Sequence, residues 1–103
     1  MIRLKTNDEL NAALENDLII ILSKTEGCGV CNAVKDMLFK IKDDYKNVKF
    51  YEIYIEDVPL FQGQYLVFTV PTVLIMYQGK EVLRESRFVN IRKITSTLDK
   101  ILE

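Results

Sequence analysis

An apolar run from Leu18 to Leu22 contains no polar position. A run of this length that is apolar at every residue is typical of a central strand covered on both faces. Farther along, apolar residues recur at helical intervals until the charged residues 42–44. They predict the buried stripe of a long helix and are Val30, Ala33, Val34, Met37, Leu38 and Ile41.

Three further elements are predicted around this strand and helix. Thr6 and Glu9 fit a capping box, so a helix is expected near residues 7–16, with a short strand at residues 2–5 before it. Residues 48–55 are rich in β-branched and aromatic side chains and predict a second inner strand.

The remaining half of the chain predicts a short helix, a hairpin and a final helix. The short helix or turn is expected to open at residues 57–59 and to end near Tyr65. Strands at residues 72–77 and 81–87 flank Gln78-Gly79-Lys80, in which glycine suits a hairpin turn. Asn90 is expected to cap a last helix with apolar positions Ile91, Ile94, Leu98, Ile101 and Leu102.

The predicted order of elements is therefore β-α-β-α-β-α-β-β-α. Alternating strands and helices followed by a hairpin imply an α/β fold, with a mixed central sheet flanked by helices on both faces. The chain has 103 residues and no linker rich in proline or glycine, so one domain over residues 1–103 is expected.

Composition and charge exclude several classes of function. The net charge is −1 with acids and bases interspersed, so no basic stripe suggests nucleic acid binding. The N-terminus has no apolar signal region and no apolar run approaches about 18 residues, so we expect no membrane segment and a soluble, cytoplasmic protein. Two cysteines and no histidine cannot supply about four zinc ligands within one chain, so no metal is expected.

The only two cysteines of the chain, Cys28 and Cys31, have the spacing Cys-x-x-Cys between the apolar strand and the long helix. Residues three apart on a helix are close enough for a disulfide to open and close. Cys28 lies at the expected helix start, where unpaired N–H groups and the helix dipole favour a thiolate, so it is the candidate nucleophile. Cys31 is expected to be shielded and to act as the resolving thiol.

Three features make the sequence similar to the thioredoxin family: Cys28-Gly29-Val30-Cys31 at the strand-to-helix junction, Val70-Pro71-Thr72 before a strand, and Gly79 in the hairpin. Their order and spacing match over nearly the whole chain. The resemblance implies a thioredoxin fold and a thiol-disulfide oxidoreductase that reduces protein disulfides through a mixed disulfide, without a bound cofactor.

The resemblance also implies the rest of the site and the partners. Pro71 would be cis and lie against the cysteine pair, the backbone of Val70 would pair with a substrate segment, and Gly29 and Val30 would contact the substrate. Partners would be disulfide-containing proteins and an electron donor, either a thioredoxin-reductase-like enzyme or a low-molecular-weight thiol, and the protein is expected to be a monomer.

Several positions depart from the family pattern. Gly27 replaces the tryptophan that usually precedes the first cysteine, and Val30 replaces the proline between the cysteines. Leu22 stands where the family has a buried aspartate, and Glu52 stands where that aspartate has a lysine partner. Glu52 shares strand parity with apolar residues behind Cys31, so burial would raise its pKa and let it accept the proton of Cys31. The alternative is that Glu52 reaches solvent or a lysine.

Bulky residues, Arg87 and Phe88, replace a glycine near the end of the last strand. Phe88 would narrow the docking groove or add an apolar contact there. Since an aromatic residue at a strand end is usually packed, we expect Phe88 in the core and Arg87 in solvent.

Other functions remain alternatives to the disulfide reductase. A thioredoxin-fold adaptor with little turnover fits Leu22, Gly27 and the bulk at Phe88. An oxidant or isomerase would need an oxidising compartment. The cysteines themselves would otherwise form a static disulfide, two inert buried thiols or half of a zinc site shared by two chains.

Overall fold

The computed structural model describes residues 1–103, which form five strands and four helices. In chain order they are β1 (Ile2–Leu4), α1 (Asn7–Ala13), β2 (Leu18–Lys24), α2 (Gly29–Lys42), β3 (Lys49–Tyr54), α3 (Pro59–Tyr65), β4 (Thr72–Tyr77), β5 (Lys80–Ser86) and α4 (Ile91–Leu102). The predicted order of elements is confirmed. None of the helices combines the length and the apolar character that crossing a bilayer requires.

Helix α1 is shorter than predicted. Its start is capped as expected, because Thr6 Oγ1 accepts the N–H of Glu9 at 3.1 Å and Glu9 Oε1 accepts the N–H of Lys5 at 3.0 Å. It ends at Ala13 instead of residue 16. The Asn16 side chain donates to the Ala13 carbonyl at 3.0 Å, which occupies an acceptor that a further helical turn would use.

The sheet is mixed, as predicted, and has the order β1-β3-β2-β4-β5. Strands β1, β3 and β2 run parallel, whereas β4 and β5 run antiparallel to their neighbours. β2 is the central strand, and all seven of its residues are buried. The hairpin between β4 and β5 turns at Gln78 and Gly79, which both have positive φ (52° and 79°), a conformation that glycine adopts without strain.

Helices cover both faces of the sheet, so the two faces bury separate cores. Ile19 and Ile21 of β2 pack with residues of α1 and α3, while Ile20 and Leu22 pack with residues of α2 and α4. This alternation explains the uninterrupted apolar run, since a strand between two cores has no polar side.

The buried side of α2 differs from the predicted stripe at its N-terminal end. Cys31, Val34 and Leu38 are buried, but Val30 is 60% exposed and Ala33 is also exposed. The buried line of the helix runs through Cys31, Val34 and Leu38, which places Val30 and Ala33 on its flanks. The first turn of α2 therefore presents Val30 to solvent beside the cysteines.

Candidate active site

The two cysteines lie at the start of α2 and are joined by a disulfide, with their Cα atoms 5.2 Å apart. Cys28 is the N-cap residue with extended backbone, and Cys31 lies within the first turn of the helix. Their exposures differ: Cys28 is half-buried, whereas Cys31 is fully buried in the layer that contains Val34 and Leu38. An incoming molecule therefore reaches Cys28 before Cys31.

The sulfur of Cys28 lies where a negative charge is favoured. Its Sγ accepts the backbone N–H of Cys31 at 3.1 Å, which is the hydrogen bond that a side-chain N-cap makes. The first turn of α2 contains no acidic residue. Free N–H groups and the positive end of the helix dipole are therefore available to a Cys28 thiolate.

The loop that leads into the motif is held in place by Glu56. Its carboxylate accepts the N–H of Glu26 at 3.0 Å and the hydroxyl of Thr25 at 2.8 Å. The hydrogen bond from Glu26, and after it that from Thr25, lowers the pKa of Glu56. Next to Cys28, Gly27 has φ +72°, a left-handed conformation that glycine adopts readily. A tryptophan, which the family usually has at this position, would adopt the same backbone conformation only with strain.

A groove of about 260 Å³ opens beside Cys28. It is lined by Cys28, Val30, Val70, Pro71, Arg87 and Phe88. The Val70–Pro71 peptide bond is cis, as the resemblance implies, and Pro71 lines the same groove as Cys28. Gly29 is the exposed first residue of α2 and is not among the lining residues.

The backbone of Val70 is free to bind another chain. Its N–H and C=O groups precede β4 and take part in none of the backbone hydrogen bonds of the turns and loops. The adjacent Pro71 carbonyl is already occupied, since it accepts the N–H of Arg87 at 2.8 Å. An extended segment that docks in the groove would therefore find unpaired backbone N–H and C=O groups at Val70.

The expectation that Phe88 packs in the core is wrong, because its side chain is 91% exposed. β5 ends at Ser86 and Arg87 has φ +61°, so the chain leaves the sheet before Phe88 and turns toward the Asn90 cap of α4. No layer of the fold covers the ring at this point. Phe88 instead forms one wall of the groove, and Arg87 is exposed as expected.

Glu52 is buried on β3, on the sheet face that α2 covers. It is 3% exposed, and its Oε2 lies 2.6 Å from the Nζ of Lys35 on α2. In the sheet, Glu52 is the register partner of Leu22. Of the two surroundings considered for Glu52, the structure therefore shows the lysine partner.

Sequence reasoning missed a second buried charge, Lys24, at the end of β2. Lys24 is 3% exposed, and its Nζ donates to Asn32 Oδ1 of α2 at 3.0 Å. It faces Tyr54 of β3, whose ring also stacks against Arg3, with the guanidinium carbon 3.7 Å from the ring centroid. The signal in the sequence was strand parity, because Lys24 lies two residues after the inward-facing Leu22.

The side chains present limit which other chemistry this chain can carry out. No group of three or more histidine, cysteine, aspartate or glutamate side chains is arranged to hold a metal ion. The reactive atom at the groove is the sulfur of Cys28, which is bonded to the buried sulfur of Cys31. The arrangement therefore supports thiol-disulfide exchange.

Comparisons with known proteins agree with this geometry. The thioredoxin family profile matches residues 2–100 of the chain. The thioredoxin-like protein YdfQ of Bacillus subtilis is 39% identical over 75 residues, which span 73% of this chain and 67% of that protein. A thioredoxin of Chlamydia caviae is 27% identical over 84 residues, which span 82% of each chain.

Solved structures show the same fold. A Plasmodium falciparum thioredoxin superimposes with a TM-score of 0.85 at 17% identity, covering 97% of this chain and 98% of that one. A Fasciola hepatica thioredoxin gives a TM-score of 0.82 at 23% identity with the same coverage. Since the family match spans nearly the whole chain and the cysteine pair is joined at the start of α2, the chain belongs to the thioredoxin family of thiol-disulfide oxidoreductases.

Proposed function

We propose that the protein reduces disulfide bonds in other proteins, with Cys28 as the attacking thiolate and Cys31 as the resolving thiol. The observation that carries this proposal is the difference in exposure of the two sulfurs. Cys28 is half-buried beside an open groove, whereas Cys31 is fully buried one helical turn inward. Only the first is placed to meet a large substrate.

The reaction consists of two exchange steps. The Cys28 thiolate attacks one sulfur of the substrate disulfide, forms a mixed disulfide and releases the other substrate sulfur as a thiolate, which takes up a proton. Cys31 then loses its proton and attacks Cys28 Sγ, which releases the second substrate sulfur. Two electrons have passed to the substrate, and the Cys28–Cys31 disulfide remains.

The substrate is held along the groove. The free N–H and C=O groups of Val70 pair with an extended substrate segment, and Pro71, Val30 and Phe88 contact its side chains. Gly29 is exposed within the motif, so a substrate backbone approaches α2 there without meeting a side chain. These contacts hold the disulfide of the substrate near Cys28, which makes the first step effectively intramolecular.

Glu52 is the proposed acceptor for the proton of Cys31. Its support is position, since Glu52 is buried on the sheet face that also covers Cys31. Lys35 holds its carboxylate at 2.6 Å and thereby fixes its place in the layer. A carboxylate behind the resolving thiol supplies a general base for the second step.

The protein needs a reducing compartment and an external electron donor to act repeatedly. The disulfide must be reduced again after each cycle, by a thioredoxin-reductase-like enzyme or by a low-molecular-weight thiol. We place the protein in the cytoplasm, where such donors keep thiols reduced, and we expect it to act as a monomer. An adaptor without turnover is less well supported, because both cysteines are present and Cys28 remains accessible.

Turnover of a disulfide-linked protein substrate with dithiothreitol as donor tests the proposal. The wild type is expected to accelerate reduction well above dithiothreitol alone, and the double variant Cys28→Ser, Cys31→Ser is expected to give the background rate. Background activity of a wild type with two titratable thiols would favour the adaptor. The reduction potential of the cysteine pair then decides the direction of electron transfer: about −270 mV is expected for a reductant and about −120 mV for an oxidant.

A further inference from the structure

Lys24 is the only buried basic residue of the chain, and no part of the catalytic cycle described above uses it. It is the last residue of β2, four positions before Cys28. Lysine is almost never fully buried unless its ammonium is paired, because removing a charge from water is costly. The burial of Lys24 is therefore costly unless its charge is paired or serves a function.

The ammonium of Lys24 has polar contacts but no ion pair. It donates to Asn32 Oδ1 at 3.0 Å and lies 5.0 Å from the centroid of the Tyr54 ring. No carboxylate oxygen of the chain lies within 4.0 Å of it. The positive charge is therefore solvated by neutral groups and is not cancelled by a neighbour.

The carboxylates near this end of α2 are bound to other groups. Glu52 pairs with Lys35 at 2.6 Å, and Asp57 pairs with Arg3 at 2.8 Å. Glu56 accepts the N–H of Glu26 and the hydroxyl of Thr25, and Glu26 itself lies 4.0 Å from Arg3. Glu52 pairs with Lys35 and Asp57 pairs with Arg3, so Lys24 is the buried ammonium that has no ion-pair partner.

The unpaired charge of Lys24 lies at the end of α2 that carries the cysteines. Asn32, which binds the ammonium, directly follows Cys31, and its own N–H donates to the Cys28 carbonyl at 3.2 Å. A cation at a helix N-terminus opposes the helix dipole, so Lys24 does not stabilise the helix by charge. A thiolate at the same end would compensate both the ammonium and the dipole.

We propose that Lys24 is a positioning residue for the redox reaction, whose buried charge stabilises the Cys28 thiolate through the first turn of α2. Stabilising the thiolate favours the reduced dithiol over the disulfide, so Lys24 also makes the pair more oxidising. The inference rests on Cys28 as the attacking thiolate in the proposed function. Lys24, at the end of β2, thus controls how readily the Cys28 thiolate forms.

Alkylation of the reduced protein by iodoacetamide tests the inference without any protein substrate. Cys31 is fully buried, so the rate reports on Cys28. Lys24→Met keeps the packed alkyl length and removes the charge, and the rate at about pH 6 is expected to fall about tenfold. The rates are expected to converge near pH 10, where the thiol is ionised in both proteins. Lys24→Arg should retain the wild-type profile.

The matched control is Lys40→Met, which removes an exposed lysine from the last turn of the same helix. It is expected to leave the alkylation profile unchanged. Equilibration with glutathione supplies a second readout. Lys24→Met should raise the ratio of disulfide to dithiol by up to about tenfold at a pH where Cys28 is ionised in both proteins, because the charge stabilises only the ionised dithiol.

Unfolding of both redox forms separates an electrostatic role from a packing role. The electrostatic role predicts that Lys24→Met lowers the stability of the reduced form relative to the oxidised form. A packing role would destabilise both forms equally and leave the pH profile of alkylation in place, which would overturn the inference. If Lys24→Met does not fold, Lys24→Gln keeps a polar group near Asn32 and serves in the same assays.

The outcomes also distinguish this inference from the proposed function. A protein that reduces substrates normally but shows the same alkylation profile in Lys24→Met and wild type would refute the role of Lys24 alone. A protein with the expected shift but no turnover would refute the reductase and leave the role of Lys24 intact.

Discussion

At the scale of single residues, Cys28 and Cys31 have the same side chain and differ in what surrounds it. Cys28 Sγ accepts a helix N–H at the edge of a groove, whereas Cys31 is fully buried on the inward side of α2. The proposed order of attack and direction of resolution rest on this difference, because a thiolate forms more easily where donors and a dipole face it.

The Cys31→Ser variant is expected to trap a mixed disulfide through Cys28, since the second step then lacks its thiol. Incubation with a disulfide-linked substrate, followed by non-reducing electrophoresis and mass spectrometry, measures the adduct. Cys28→Ser is the control and should trap little, because the remaining thiol is buried. Equal trapping by both variants would contradict the assigned roles.

Replacement of Phe88 by Ala is expected to weaken substrate docking more than chemistry. An aromatic ring that is 91% exposed in the free protein gains apolar burial when a substrate covers it, so KM for a protein substrate should rise about tenfold. The alkylation rate of Cys28 should stay unchanged. Phe39→Ala, which alters a half-exposed ring away from the groove, is the matched control, and an equal rise in KM there would refute a specific contact.

Glu52→Gln tests the proton acceptor. The amide cannot take the proton of Cys31, so the resolution step is expected to slow and its rate to depend differently on pH. Rapid-mixing measurement of the release of reduced substrate between about pH 5 and pH 9 reports this step. Lys35→Met is the companion variant, because it removes the ion pair and leaves the carboxylate. A profile for Glu52→Gln that matches the wild type would exclude the proton transfer.

At the scale of elements, the junction between β2 and α2 organises the site. The strand ends at Lys24, the loop passes through Gly27 with positive φ, and the helix begins at Gly29. Glu56, which follows β3, holds this loop by accepting hydrogen bonds from residues 25 and 26. The orientation of Cys28 therefore depends on a carboxylate from a different segment of the chain.

The loop contact should make stability depend on pH in a defined direction. The pKa of Glu56 is lower in the folded protein than its ordinary value of 4.5, so its contribution is present above that value and is lost as the pH falls through the folded pKa. Glu56→Gln is expected to be less stable than wild type at neutral pH, with a difference that shrinks as the pH falls below 4.5 and through the folded pKa.

Thermal unfolding of both proteins from about pH 7 to pH 3 measures this effect. Glu15→Gln alters an exposed carboxylate that makes no side-chain hydrogen bond or ion pair, and it should track the wild type throughout. A constant difference between Glu56→Gln and wild type over the whole range would show that the loop contact does not titrate.

At the scale of the whole molecule, stability comes from the two cores on either side of β2 and not from the cysteine pair. The disulfide closes a ring of residues only three apart in sequence, so it removes little entropy from the unfolded chain. A redox protein needs a fold whose stability does not depend on its disulfide, because the disulfide opens in every cycle while the fold must persist.

Reduction is therefore expected to lower the free energy of unfolding by no more than about 2 kcal/mol. Urea unfolding with and without dithiothreitol measures the difference, and both forms should unfold in one cooperative transition. In acid solution, where the Cys28 thiol is protonated, the double variant Cys28→Ser, Cys31→Ser should unfold like the reduced protein. Loss of cooperativity on reduction would mean that the disulfide, and not the two cores, holds the domain together.

The sequence by itself determined the order of the elements, the central position of β2 and the place of the cysteine pair. Each of these depends on local patterns: an apolar run, helical spacing, a capping box and a Cys-x-x-Cys motif. Burial at strand and helix centres follows from such periodicity, because a repeat of side chains fixes which face meets the core.

Tertiary structure alone decided the exposure of Phe88, the ion pair of Glu52 and the partner of the buried Lys24. Phe88 lies beyond the last strand, where coverage depends on which segments are nearby and not on periodicity. The partners of Glu52 and Lys24 are Lys35 and Asn32 on a helix packed over their strands. Sequence patterns indicate which face a residue takes, but the side chain that meets it there is set by how the helix packs across the sheet.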